Sequence, residues 1–445
     1  MKTKSFIIYI LFIFILTAYL PGQSFNKNKL DSLLSYLDKK NMAMGSLVIS
    51  RNGNTEYARA IVFSYITPQQ KIASTEKTRY RIGSISKMFT AALIFQLIEE
   101  GKLSLSTTLS KYFPKIPNAR LIKISHLLNH QSGIPSYTND LNYMQWGYQP
   151  KTHEEMIRII SATEPEFEPG TASAYSHSNY ILLGYILEKI YRKPYNDILN
   201  ERICSKIGLM DTYYGDKTDI SKNESYSYKY TAFWEQLPPT DMSIPGGSGG
   251  IISTPLDLVR FMEALFTGKL INKSSLEQMK TITNNYGMGV FYLPFKGKAC
   301  YGHTGSIDGF ASTAGYFPND SIAVAYFSNG TVYPSLEVLF GSLDIYFGLP
   351  YDFPVFTGYY ANPKDLDKFL GMYSCPGVPF KITLTKKRST LYGQVSGQQA
   401  VPLEAVAENI FKLEIAGAVI RFNPARKEFI LEQGGRKYTF TKAIQ

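Results

Sequence analysis

Apolar positions in this chain change period several times, and the changes mark its elements. Near the N-terminus, residues 45–49 and 55–63 flank Arg51-Asn52-Gly53, the pattern of two strands joined by a tight hairpin turn. From Ser84 to Glu100 the spacing becomes helical, with Ile85, Met88, Phe89, Ala92, Leu93 and Leu97 on one stripe and Gly101 as the stop. Residues 118–135 read as a short helix and loop, and Thr152-x-x-Glu155 opens another helix with a capping box. Two more amphipathic helices are predicted over 179–191 and 254–267, the latter with Pro255 in its first turn. Beyond Tyr286 the period shortens to that of strands, at 287–293, 299–302, 311–317 and 321–328. Strands at both ends with helices between them predict an antiparallel sheet covered by helices.

Prolines then punctuate 349–363, read as a linker between a domain over 24–348 and a small all-β domain over 364–445. Short alternating segments such as Lys381-Ile382-Thr383-Leu384 and Ala418-Val419-Ile420-Arg421-Phe422 carry that second expectation. Residues 1–23 have the form of a secretory signal peptide: Lys2 and Lys4, an apolar run from Phe6 to Ile15, then Thr17-Ala18-Tyr19-Leu20-Pro21-Gly22. An uncleaved membrane anchor is the alternative reading of that segment. The leader predicts a periplasmic or secreted protein.

Charge adds little. The net charge is +11, and residues 364–445 hold 13 Lys/Arg against 7 Asp/Glu, but no basic cluster of the kind that binds nucleic acid stands out. Association with anionic cell-envelope polymers is the partner class such a balance suggests. Cys204, Cys300 and Cys375 are odd in number and far apart, so no disulfide framework is expected.

The chemistry begins at Ser84-Ile85-Ser86-Lys87. Positions three apart share a helix face, so the Lys87 amine can reach the Ser84 hydroxyl. A serine hydroxyl needs a base beside it, and a lysine held deprotonated by burial can serve. The helix start adds backbone N–H groups where negative charge would develop. S-x-x-K alone is a weak signal: roughly one or two copies arise by chance in a chain this long. Ser24-Phe25-Asn26-Lys27 and Ser74-Thr75-Glu76-Lys77 are others, but neither opens an amphipathic helix. Gly246-Gly247-Ser248-Gly249-Gly250 matches the G-x-S-x-G nucleophile elbow in letters only, because Pro245 precedes it and the next helix starts too late. His126 and His130 have a zinc-compatible spacing without an acidic third ligand nearby, so no metal is expected.

With Tyr80-Arg81-Ile82-Gly83 before the serine, the order continues through Leu127-Leu128-Asn129-His130-Gln131-Ser132-Gly133-Ile134-Pro135, Tyr175-Ser176-His177, Gly246 to Ile251 and Gly302-His303-Thr304-Gly305-Ser306. Over residues 44–347 this resembles the serine β-lactamase and D,D-peptidase superfamily, nearest the class C β-lactamase, D-aminopeptidase and esterase branch. The resemblance implies an α/β transpeptidase-like fold, and a weaker one links 364–445 to lipocalin-like β domains. It implies Ser84 as nucleophile, with Lys87 and Tyr175 moving its proton. The amides of Ser84 and Ser306 would form an oxyanion hole, and His177, His303, Thr304 and Gly305 would border the substrate. Gly305 would leave room for a substrate backbone, and His303 would hold a substrate carboxylate or relay protons. An adjacent Lys87 cation would ease ionisation of the Tyr175 phenol.

His177 replaces the asparagine of the family's Y-x-N pattern. A neutral imidazole offers one donor and one acceptor where a carboxamide offers more, so amide recognition should weaken and β-lactam turnover should be poor. An unperturbed histidine also changes charge between about pH 5 and 8. Substrates implied are small molecules or peptides: D-amino-acid peptides, esters or related amides, processed without a cofactor. A β-lactamase proper and a non-catalytic penicillin-binding sensor are the alternatives.

Overall fold

The computed structural model describes residues 25–231, 233–354, 356, 364–387, 390–398, 400–413 and 416–443. The expected leader, 1–23, and linker residues 355 and 357–363 lie outside the described residues.

A six-stranded antiparallel sheet organises the larger unit. Its order is Phe291–Tyr292, Tyr301–Ile307, Phe310–Phe317, Ile322–Thr331, Ala43–Arg51 and Asn54–Ile61, so the chain's first strands complete the sheet its last strands begin. The predicted hairpin is present: Asn52 (φ 51°) and Gly53 (φ 82°) both take the left-handed conformation that a two-residue turn of matching twist requires. Alternate residues along Ile322–Thr331 feed two cores. Ala323, Ala325 and Phe327 face one side, Ile322, Val324 and Tyr326 the other.

One face is covered by helices Lys27–Lys39 and Ser335–Tyr346. Helix Pro255–Phe266 lies against the other face, with Ser86–Glu99 and His177–Tyr191 in the same core. The period of Ser86–Glu99 predicted one apolar stripe, yet every residue from Ser86 to Leu97 is buried. Helix His177–Tyr191 is likewise buried from Ser178 to Leu187. These are central helices, covered along most of their length, and Thr90, Gln96, Ser178, Asn179 and Tyr180 find hydrogen-bond partners inside. The glycine-rich turn Gly246–Gly249 fits between them. A Cβ on Gly247 would stand 2.8 Å from the Tyr180 carbonyl oxygen and 2.9 Å from Thr90 Oγ1, so only glycine allows the approach. The capping box holds as read: Glu155 N donates to Thr152 Oγ1 at 3.2 Å, and Thr152 N to Glu155 Oε2 at 2.8 Å.

Two strand expectations shift. Of 287–293 only Phe291–Tyr292 pairs, because the chain turns back with Gly287 N donating to Val290 O. The next strand runs over Tyr301–Ile307 instead of ending at 302, and so carries the whole His-Thr-Gly motif.

Residues 371–442 form a closed eight-stranded antiparallel barrel, sealed where Tyr373 and Ser374 pair with Lys442 and Thr441. Inward side chains fill it: Phe411, Phe422, Phe429 and Phe440, with the ring of Phe369, in the turn Asp365–Phe369, tilted against that of Phe422 at 4.3 Å. The expected linker is in part structural. Lys29 Nζ donates to Tyr351 O at 2.7 Å, and Phe356 stacks on Tyr36 at 5.4 Å, so the described residues just after 349 belong to the larger unit.

Candidate active site

Ser84 lies in the 3-10 turn Gly83–Ile85 that leads into Ser86–Glu99 and lines a cleft of about 420 Å³. Lys87, one turn along, is wholly buried. Its amine lies 3.1 Å from Ser84 Oγ, 3.1 Å from His177 Nδ1 and 2.8 Å from the Ser248 carbonyl oxygen. A hydroxyl, an imidazole and a carbonyl are its partners, none of them an anion, and burial pushes its pKa well below the usual 10.5. A neutral amine has two N–H donors and one lone pair. The carbonyl can only accept, and the imidazole accepts when its proton is on Nε2, which leaves the lone pair for the serine proton.

Tyr175 stands behind Ser84, its ring centroid 5.0 Å from Lys87 Nζ. Burial raises its pKa despite a hydrogen bond with Ser84 that works the other way. The expectation of an easily ionised phenol is therefore corrected: desolvation outweighs the help of the neighbouring amine and keeps the phenol protonated. His130 supports this tyrosine. Its ring lies 4.4 Å from that of Tyr175, and its Nδ1 accepts from Ser176 N at 3.2 Å.

His177 opens helix His177–Tyr191 and lines the cleft. Burial, with Lys87, His130 and His303 nearby, holds its pKa well below 6.5, so it stays neutral and the expected charge change near pH 5 to 8 does not arise from it.

The His-Thr-Gly strand borders the site differently from expectation. His303 is 2% exposed, its ring stacks 4.2 Å from Phe291, and Nδ1 lies 2.5 Å from the Thr304 carbonyl oxygen. Burial lowers its pKa to about 3. A neutral, enclosed imidazole brings no cation to a substrate carboxylate. Gly305 faces the protein: a Cβ there would stand 2.1 Å from the Ile82 carbonyl oxygen and 2.3 Å from Ser312 Oγ. Its smallness lets the strand press against the segment before the nucleophile, not against a ligand. Thr304 is half-buried and outside the cleft wall, whereas Ser306 lines it with Ser84.

Ser248 is fully buried, its hydroxyl donating to Pro245 O at 2.6 Å. What the site draws on is its carbonyl, which no side-chain motif could reveal. His126 and His130 do not converge on one point: His126 Nδ1 accepts from Lys123 N at 3.4 Å, and His130 faces Ser176.

A serine–lysine pair at a helix start, beside an antiparallel sheet whose strand carries His-Thr-Gly-Ser, is the arrangement of acyl-transfer hydrolases of one family. The chain belongs to the beta-lactamase family, whose model matches residues 30–340. It is 25% identical over 452 residues to penicillin-binding protein 4* of Bacillus subtilis (strain 168), covering 92% of this chain and 97% of that one. It is 26% identical over 258 residues to the teichoic acid D-alanine hydrolase of Staphylococcus aureus (strain MRSA252), covering 56% of this chain and 62% of that one. The octameric penicillin-binding protein homologue from Pyrococcus abyssi superposes with a TM-score of 0.66 at 25% identity, over 93% of this chain and 99% of that one. The chain is thus a β-lactamase-family hydrolase.

Proposed function

We propose that this hydrolase works through an acyl-enzyme on Ser84 and cleaves D-amino-acid peptides, esters or related amides, after export to the periplasm or cell exterior. The observation that carries the reading is the buried Lys87 amine, its pKa lowered by desolvation, 3.1 Å from Ser84 Oγ. As Ser84 Oγ attacks the substrate carbonyl, its proton moves to the Lys87 lone pair. Negative charge on the carbonyl oxygen is met by the Ser84 and Ser306 amides. Tyr175, kept protonated by burial, gives its proton to the leaving nitrogen or oxygen and regains one from Lys87. Water then attacks the ester, passes a proton back through the same pair, and releases the acid. His177 and the Ser306 end of the strand shape the approach. The name of the S. aureus relative supports D-alanyl esters as one substrate group.

Intact-mass analysis after a fluorophosphonate probe tests the reading, and one adduct is expected, absent in Ser84→Ala. Turnover of D-peptides, nitrocefin and p-nitrophenyl esters then ranks substrates. An adduct on Ser248, or acylation without any turnover, overturns it.

A further inference from the structure

Charge in the cleft is arranged in one particular way. Its walls are largely aromatic and apolar, with Tyr137, Tyr143, Tyr148, Leu237 and Pro238, and among the described lining residues the one carboxylate is Asp308 and no lysine or arginine appears. Arg81, whose partners Asp308 and Thr240 line the cleft, is fully engaged at its two terminal nitrogens. Nη1 donates to Asp308 Oδ2 at 3.0 Å and to Thr240 O at 2.7 Å, and Nη2 to Asp216 O and Thr218 Oγ1, each at 3.3 Å. Asp308 Oδ1 accepts from Thr240 N at 2.9 Å and Thr240 Oγ1 at 2.5 Å. The side chains of Arg81 and Asp308 are 3% and 4% exposed, a buried pair with no net charge. Lys87 is wholly buried, turned to Ser84, His177 and the Ser248 carbonyl and not part of the cleft lining, and His303 is enclosed. A carboxylate entering such a site loses hydration and gains no free cation in return. A neutral amide or ester loses far less, and an ammonium can lie against tyrosine faces.

We infer that the cleft selects acyl donors that carry no carboxylate beside the scissile bond, and that the Arg81–Asp308 pair sets this preference by occupying the guanidinium behind the cleft wall. The inference rests on the hydrolase reading above. It names the substrate class as amino-acid amides and esters, or internal peptide bonds, with C-terminal acids and penicillins disfavoured.

The test uses the full chain and a matched pair: acetyl-D-Ala-D-Ala and its C-terminal carboxamide. Cleavage of the internal bond is timed by mass spectrometry, or by slowing of probe labelling at Ser84 where turnover is too slow. The carboxamide should exceed the free acid at least tenfold in kcat/KM or in apparent affinity. Asp308→Asn frees the arginine charge and should bring the ratio towards one by improving the free acid. Arg81→Gln with Asp308→Asn restores a neutral pair and should restore the preference. Equal or better use of the free acid by the wild-type chain overturns the inference and leaves acylation standing. An unchanged ratio in folded Asp308→Asn overturns the role of the pair. Absence of any adduct on Ser84 overturns the hydrolase reading, and this inference with it.

Discussion

Gly83 and Ser306 meet backbone to backbone: a Cβ at Gly83 would stand 2.9 Å from the Ser306 nitrogen and 2.9 Å from its carbonyl oxygen. Gly83 also has φ +51°, a conformation that disfavours other residues. The contact sets the spacing between the two amides assigned to the oxyanion. Gly83→Ala should therefore slow fluorophosphonate labelling of Ser84 by roughly 100-fold, the cost of losing one oxyanion donor. Labelling at the wild-type rate in a folded variant would show that the contact does not govern the site.

Tyr175→Phe separates proton delivery from nucleophilic attack. A p-nitrophenolate leaves without a proton, whereas an amine does not. Amide hydrolysis should fall about 100-fold and p-nitrophenyl ester hydrolysis only a few-fold. Equal losses on both substrates would place Tyr175 outside the leaving-group step.

Lys87 ties activity to stability. Its folded pKa is lowered, so the unfolded chain binds a proton that the folded chain does not. Below the unfolded value near 10.5, wild-type stability then falls with pH, by up to about 1.4 kcal/mol per unit, until the folded pKa is reached. Lys87→Met lacks this dependence. Urea unfolding between pH 7 and 10 should show the variant gaining on wild type as pH drops. A constant difference would mean that Lys87 is charged in the folded protein.

His177→Asn keeps an oxygen to accept from Lys87 and adds an amide donor facing the cleft. Hydrolysis of nitrocefin relative to p-nitrophenyl esters should rise several-fold, while the pH–rate profile between 6 and 7 stays unchanged because the native imidazole is already neutral there. An inflection near pH 6.5 that disappears in the variant would contradict the neutral assignment.

The boundary of the larger unit can be tested by shortening the chain. Ending at Phe356 retains the packing of Phe353 and Phe356 around Tyr36, whereas ending at Leu349 removes it. The shorter chain should be less stable by about 2 kcal/mol, the scale of two aromatic pairs. Equal thermal unfolding of the two would return 350–356 to the linker.

Features fixed by neighbours in sequence were legible. The Asn52-Gly53 turn, the Thr152–Glu155 box, Pro255 in its first turn and the Ser84–Lys87 spacing each follow from local geometry. Features that depend on what packs from elsewhere were not. Nothing in Ser86–Glu99 shows that its polar face meets Gly247 and Ser248, so it read as amphipathic. His303 looks like an available imidazole until Phe291 closes over it. Arg81 and Asp308 are 227 residues apart, and only the fold makes them a pair. Gly305 gave the right residue for the wrong reason, because a missing side chain does not say which neighbour needed the space.

Burial of Ser86–Glu99 on every side has a consequence for how the molecule fails. Amide protons of Phe89 to Phe95 should exchange with solvent only through opening of the whole domain. The helix that holds Lys87 thus belongs to the last part of the molecule to unfold, although Ser84 just before it faces the open cleft. Heating should extinguish acylation and native structure together, leaving no temperature window in which the chain is folded but its serine is idle.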